Sequence, residues 1–318
     1  MTLEAFLAEW HNDSPTLLVH TSGSTGKPKP MWVEKRRMEA SARMTLDFLG
    51  LREGDTALLC LPLDYIAGKM MVVRSLVGHL RLLHVPPSGH PLSSISHPLP
   101  LITFAAMVPM QVYNSMQVPE EYERLRQIRH LIIGGGAIDE RLERRLLDFP
   151  HAVWSTYGMT ETLSHIALRR LNGGSASSWY TPLPGIHVSA NEDDCLVVDA
   201  PQLHDGPLVT NDIVELLSEG RFRILGRKDN VVCSGGIKIQ IEEVERRLAT
   251  HLSSPFVLTK CKDERLGEVL VLLTEDQNLN AVDDICRRVL PKYWQPREIR
   301  FVEKIPMTET GKVKRSFT

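Results

Sequence analysis

The chain has 318 residues, 42% of them hydrophobic and 24% charged, with a formal net charge of −2, which allows a sizeable buried core and suggests two domains. That charge balance excludes general nucleic-acid or membrane-surface binding, and no apolar run reaches the ~20 residues of a membrane-spanning helix. Five scattered cysteines form no CxxC pair and twelve histidines show no ligand spacing, as expected of a reduced cytoplasmic protein without a secretory leader.

An apolar run predicts a strand over 17–19, and Met38, Ala42, Leu46 and Leu49 on one face predict a helix over 35–49. Between them stands HTSGSTGKPKP at 20–30. Thr21, Ser22, Gly23, Ser24, Thr25, Gly26 and Lys27 combine hydroxyls, glycines and a cation after a strand. Such a turn lets backbone N–H groups converge on a phosphate while the lysine adds a point charge. It is not a GxxxxGK(S/T) loop, because Pro28 follows Lys27.

Short apolar runs follow at 57–62 and 70–78, then a proline- and serine-rich stretch at 84–100 that reads as an irregular connection. Buried strands are predicted at 101–107, 131–133 and 152–155, with helices over 120–129 and 139–147. This alternation predicts α/β layering around a largely parallel sheet. The strand at 131–133 ends in Gly134, Gly135 and Gly136, a turn in which a flat ligand lies against bare backbone. The strand at 152–155 delivers YGMTET. Tyr157 offers a ring for a purine, Gly158 a tight turn, Thr160 a hydroxyl for an α-phosphate, and Glu161 the hard oxygen that Mg²⁺ prefers.

After residue 181 the pattern changes to short strands at 187–190, 195–198, 213–217 and 221–225, with hairpin turns at 191–194 and 218–220. Asp212 in LVTNDI suits a ribose diol, and Asn211 before it tolerates left-handed backbone. From 226 onward the chain predicts a helix over 241–249, strands over 257–260 and 269–273, and a helix over 281–290. The expected fold class is α/β: a large N-terminal α/β domain over 1–225 with mixed sheets and a β-rich end, and a small, mobile α+β C-terminal domain over 226–318.

Taken together, TSGSTGKPK, GGG, YGMTETLSHI, TND, GRKDNVVCSGGIKIQIEEVE and PMTETGKVKR resemble the adenylate-forming superfamily of acyl-CoA synthetases, peptide-synthetase adenylation domains and luciferases. The similarity runs from residue 17 to residue 318. YGMTETxSxI, the triple glycine and Ser234-Gly235-Gly236 are most similar to its o-succinylbenzoate–CoA ligase branch, which belongs to menaquinone biosynthesis. Departures are His20 and Pro30 at the ends of the first loop, Asn211 for a glycine, and Tyr65 for the histidine of LPLxHxxG. Family members also carry well over a hundred residues ahead of the first loop, so the resemblance implies an N-terminally shortened member whose uncovered sheet edges need a partner surface such as a second copy.

The resemblance implies an AMP-forming acid–thiol ligase using ATP, Mg²⁺ and CoA. It gives 21–27 to the triphosphate, Glu161 to the metal, Asp212 and Arg227 to ribose, Asp229 to an interdomain hinge, Gly235 and Gly236 to the pantetheine arm, and Lys312 to catalysis of adenylation. Lys69, Arg74, Ser164 and His165 are candidates for the second carboxylate of the acid by proximity to the motifs. Alternatives are another acyl- or aryl-CoA synthetase, a domain loading a carrier protein, or a non-catalytic nucleotide-binding remnant.

Overall fold

The computed structural model describes residues 1–20, 30–95, 101–307, 313 and 315. The chain divides into two compact units: Met1–Val188 with Val198–Leu208 and Leu217–Phe222, and Ser189–Val197 with Val209–Leu216 and Arg223–Thr318.

The first unit opens with helix α1 (Leu3–His11), whose start is fixed by the Thr2 hydroxyl accepting from the Ala5 N–H. Strands β1 (Thr16–His20) and β2 (Pro30–Glu34) pair antiparallel with His20 opposite Pro30. The predicted phosphate loop therefore joins two strands. The sequence expectation of a strand–loop–helix is corrected: β2 intervenes before α2 (Lys35–Leu49). Helix α2 matches its predicted span and stops at Gly50, where φ of +64° places glycine in the left-handed region.

Next come β3 (Thr56–Leu59), α3 (Ile66–Val77), β4 (Arg81–His84), β5 (Phe104–Met107), α4 (Pro109–Ser115), α5 (Pro119–Arg126), β6 (His130–Ile133), α6 (Glu140–Leu146), β7 (Ala152–Gly158), β8 (His165–Arg170) and β9 (Thr181–Pro182). The strands form one sheet in the order β4-β3-β5-β6-β7-β8-β9, parallel from β4 to β7 and antiparallel beyond. One face buries Leu58, Ala105, Leu131, Ile133 and Val153 with Val112, Leu125, Leu142 and Leu146 of α4, α5 and α6. Alternation sends Trp154 to the other face, where the Phe48 ring of α2 meets it edge-on at 5.2 Å. The largely parallel α/β architecture is as the sequence predicts.

Strands β10 (His187–Ala190), β11 (Cys195–Asp199), β12 (Leu208–Leu216) and β13 (Phe222–Arg227) form a four-stranded sheet in chain order. Here β12 begins five residues before the predicted 213, so Asn211 and Asp212 lie in extended strand. Asn211 thus makes no use of the left-handed backbone that the sequence reading allowed it.

The second unit continues with β14 (Val231–Ser234), β15 (Ile237–Gln240), α7 (Ile241–Leu248), β16 (Phe256–Asp263), β17 (Gly267–Thr274), α8 (Leu279–Val289) and β18 (Glu298–Phe301). The sheet runs β15-β14-β17-β16, with β18 parallel to β17. Ile241, Val244 and Leu248 recur at helical spacing on α7 and pack with Leu258, Leu270 and Leu272. The predicted helices and strands of this region are all present within a few residues. No helix among the described residues is long and apolar enough to cross a membrane.

One glycine sets the start of α3. A Cβ on Gly68 would lie 2.3 Å from the Pro62 carbonyl oxygen and 2.9 Å from that of Leu61, so this helix turn crosses backbone that cannot yield. Gly68→Ala is expected to destabilise the first unit by about 3 kcal/mol or to prevent its folding, read as a lowered urea midpoint. An unchanged midpoint would contradict the close crossing.

Candidate active site

The site of the first unit lies where β5, β6 and β7 end, the edge at which open parallel sheets take ligands. Gly134 follows β6, and its N–H donates to the Met107 carbonyl at 3.1 Å. A Cβ there would stand 2.4 Å from Thr156 Oγ1, whose hydroxyl donates to the Ile133 carbonyl at 3.3 Å. Gly135 has φ of +79°, and Gly136 completes the turn. The first two glycines are therefore demanded by the turn itself.

At the end of β7 the chain doubles back into β8. A Cβ on Gly158 would lie 2.2 Å from the Ser164 carbonyl oxygen and 2.4 Å from His165 Cα. Only glycine fits this crossing. Thr162 staples the connection: its hydroxyl accepts from the Met159 N–H at 3.1 Å and lies 2.8 Å from the Ser164 carbonyl. Leu163 adopts φ of +65°, a conformation that costs a non-glycine residue about 1 kcal/mol or more. Thr160 is buried and Glu161 half-buried in this turn. The Tyr157 ring is held edge-on by Phe222 at 5.3 Å and lies 6.0 Å from Tyr180. Tyr180 stacks on Phe222, and its hydroxyl is 2.8 Å from Ser155 Oγ. Thr162, Tyr180 and Phe222 are absent from the sequence-derived set. The first is signalled by its place inside YGMTET, whereas the other two carry no local signal.

Arg74 on α3 is completely buried. It hydrogen-bonds Ser164 Oγ, and its Nε has no partner among the described residues. No carboxylate among the described residues pairs with it, and burial alone pulls the guanidinium down to about 9, so it stays charged at neutral pH. His165 is also buried, with Nε2 3.1 Å from Thr45 Oγ1 and Nδ1 3.3 Å from Ser164 Oγ. Burial, reinforced by the neighbouring Arg74 charge, holds its pKa well below the ordinary value. Arg74, Ser164 and His165 thus form one cluster. Lys69 is buried with its Nζ 5.3 Å from the centre of the Phe6 ring. Burial lowers its pKa, an effect partly opposed by Glu9 and Asp64.

The second unit holds a separate charged group. Arg227 Nη1 donates to Asp212 at 3.2 Å and Nη2 to Asp229 at 2.9 Å. The Asn211 amide donates to Asp229 at 3.2 Å. Gly235 and Gly236, with φ of +57° and +85°, form the two-residue turn between β14 and β15. Arg315 clamps Glu245 through two bonds of 2.6 and 2.7 Å and donates to the Leu258 carbonyl, while Met307 bridges Val313. Thr21, Ser22, Gly23, Ser24, Thr25, Gly26, Lys27 and Lys312 lie outside the described residues. No cluster of three metal-ligating side chains occurs among the described residues.

A parallel α/β sheet with a glycine-turn site at its strand ends, followed by a small α+β unit, defines a nucleotide-handling enzyme class. Residues 4–206 match the AMP-binding enzyme family and 259–312 match the AMP-binding enzyme C-terminal domain. The chain belongs to the AMP-binding enzyme family. It is similar to an acyl-CoA synthetase (AMP-forming)/AMP-acid ligase II-like protein from Dyadobacter fermentans, with 33% identity, coverage of 98% of this chain and 91% of that one, and a TM-score of 0.68. It is 25% identical to the 2-succinylbenzoate–CoA ligase of Bacillus mycoides over 98% of this chain and 71% of the relative. It shares the fold of the Bacillus subtilis o-succinylbenzoate coenzyme A synthetase, solved with ATP and magnesium ion (TM-score 0.76, 23% identity, 94% of this chain and 68% of that one).

The His165 environment sets a pH dependence. Its folded pKa lies below the unfolded value of 6.5, so below that pH the unfolded chain binds a proton that the folded chain refuses, and stability falls. The expected loss reaches about 1.4 kcal/mol per pH unit. Between pH 7.5 and 5.5, wild type should lose stability more steeply than His165→Asn in urea titrations. Parallel curves would contradict a neutral, buried His165.

Proposed function

We propose that this protein is an AMP-forming acid–CoA ligase that converts 2-succinylbenzoate to its CoA thioester, as a cytoplasmic enzyme of menaquinone biosynthesis. The observation that carries the substrate assignment is Arg74, a fully buried guanidinium with no carboxylate partner among the described residues. An enclosed unpaired charge costs several kcal/mol. A dicarboxylic acid offsets that cost by bringing its second carboxylate, with Ser164 as neighbour. The neutral, doubly engaged His165 and Lys69, which lies over the Phe6 ring, are not assigned to the second carboxylate.

In the first step the other carboxylate attacks the α-phosphorus of ATP. The bond to the bridging oxygen breaks and pyrophosphate leaves, giving acyl-AMP. In the second, the CoA thiol attacks the acyl carbon, the thiol proton is lost to solvent, and AMP departs. Residues 21–27 hold the phosphates, and the glycine turn at 134–136 with Tyr157 holds the base. Thr160 binds the α-phosphate, and Asp212 with Arg227 binds the ribose. Glu161 would hold Mg²⁺, which when bound neutralises phosphate charge. Lys312 is assigned to offset the repulsion of like-charged reactants and stabilise the charge that develops. We assign 1–225 to the adenylating core and 226–318 to a mobile domain turning about Asp229, with Gly235 and Gly236 beside the pantetheine arm.

With ATP, Mg²⁺ and CoA, the purified protein is expected to release pyrophosphate and form a thioester with 2-succinylbenzoate, and to turn over benzoate and fatty acids at least about a hundredfold more slowly in kcat/KM. Lys312→Ala is expected to lower the rate of adenylation by about a hundredfold or more. Pyrophosphate release with a monocarboxylate but not with 2-succinylbenzoate would overturn the substrate assignment.

A further inference from the structure

We infer that Thr45 and His165 are positioning residues for acid recognition, joined to Arg74 through Ser164 in a single directed hydrogen-bond chain; this rests on the ligase reading above. The four side chains come from α2, α3, the β7–β8 connection and β8. Arg74 Nη2 donates to Ser164 Oγ. Ser164 Oγ lies 3.3 Å from His165 Nδ1, His165 Nε2 lies 3.1 Å from Thr45 Oγ1, and the Thr45 hydroxyl donates to the Ser41 carbonyl at 3.2 Å.

The two ends fix the direction. A guanidinium only donates and a carbonyl only accepts. Each hydrogen between them is used once if Ser164 donates to Nδ1 and Nε2–H donates to Thr45. With the opposite tautomer, Ser164 would receive two donors, and its own hydrogen would have no acceptor in the chain. At this half-buried hydroxyl such an orphan is disfavoured. The chain therefore requires a neutral His165 protonated on Nε2, in keeping with its lowered pKa. It fixes the Ser164 hydroxyl, and Ser164 fixes one nitrogen of Arg74, leaving the unpartnered Nε to the acid. Residues held this way set geometry without touching substrate.

Thr45→Val removes the acceptor at the far end while nearly conserving shape, and Thr45→Ser keeps it. Nitrogen-15 histidine spectra of the full chain, with the His165 signal assigned by its loss in His165→Asn, should show the Nε2–H tautomer in wild type and Thr45→Ser. An Nδ1–H tautomer in wild type would overturn the chain, whatever acid the enzyme uses. In kinetics, Thr45→Val should raise KM for 2-succinylbenzoate about tenfold. KM for ATP and kcat should stay within about twofold, and Thr45→Ser should match wild type. An equal KM rise for benzoylpropionate, which lacks the ring carboxylate, or no rise for either acid, would overturn the positioning role. Failure of wild type to activate any carboxylic acid would instead count against the ligase reading, and the tautomer would still judge the hydrogen-bond chain.

Discussion

A guanidinium enclosed by protein, with no carboxylate among the described residues to meet it, is a cost that the first unit carries in its folded state. The surroundings of Arg74 are organised around that cost. Helix α3, which carries Arg74, begins where Gly68 lets its first turn cross the 61–62 backbone. The β7–β8 connection can bring Ser164 to meet it only because Gly158 lets two backbones touch. Thr162 and the strained Leu163 hold the same connection in shape. Strain and buried charge are concentrated at one place in an otherwise ordinary sheet, the place to which the proposed function assigns the acid.

The same turn serves two purposes. On one side it presents Thr160 and Glu161 from YGMTET; on the other it supplies Ser164 to Arg74. In the proposed function, these five residues couple the recognition of phosphate and metal to the recognition of the acid. Their geometry is fixed by one crossing instead of by two separate loops. The aromatic group of Tyr157, Tyr180 and Phe222 stiffens the adjacent strand end. A preorganised site of this kind loses little entropy when its substrates bind.

Much of this was legible in the sequence, for identifiable physical reasons. The helix over 35–49 and those carrying Ile241, Val244, Leu248, Val282 and Cys286 display their buried faces at helical spacing. The strands at 131–133 and 152–155 are short, apolar and followed by glycine. Arg74, Ser164 and His165 were found through their proximity to motifs, and the fold joins them. Thr45 was not found, because it stands 120 positions before His165 and looks like any polar residue on an amphipathic helix. Tyr180 and Phe222 likewise gain their role only through sheet topology. Strand β2 was missed because its five residues, Pro30–Glu34, are half exposed and begin with proline. Asn211 stands where the resembled motif has glycine and could take left-handed backbone, whereas pairing within the sheet extends it.

The central claim is that Arg74 exists to meet a second carboxylate. Four dissociation constants measured by calorimetry test it most directly: wild type and Arg74→Leu, each with 2-succinylbenzoate and with benzoylpropionate. The account predicts that Arg74→Leu weakens the dicarboxylate about a hundredfold and the monocarboxylate less than about threefold. Equal weakening of both acids, or none of either, would contradict it.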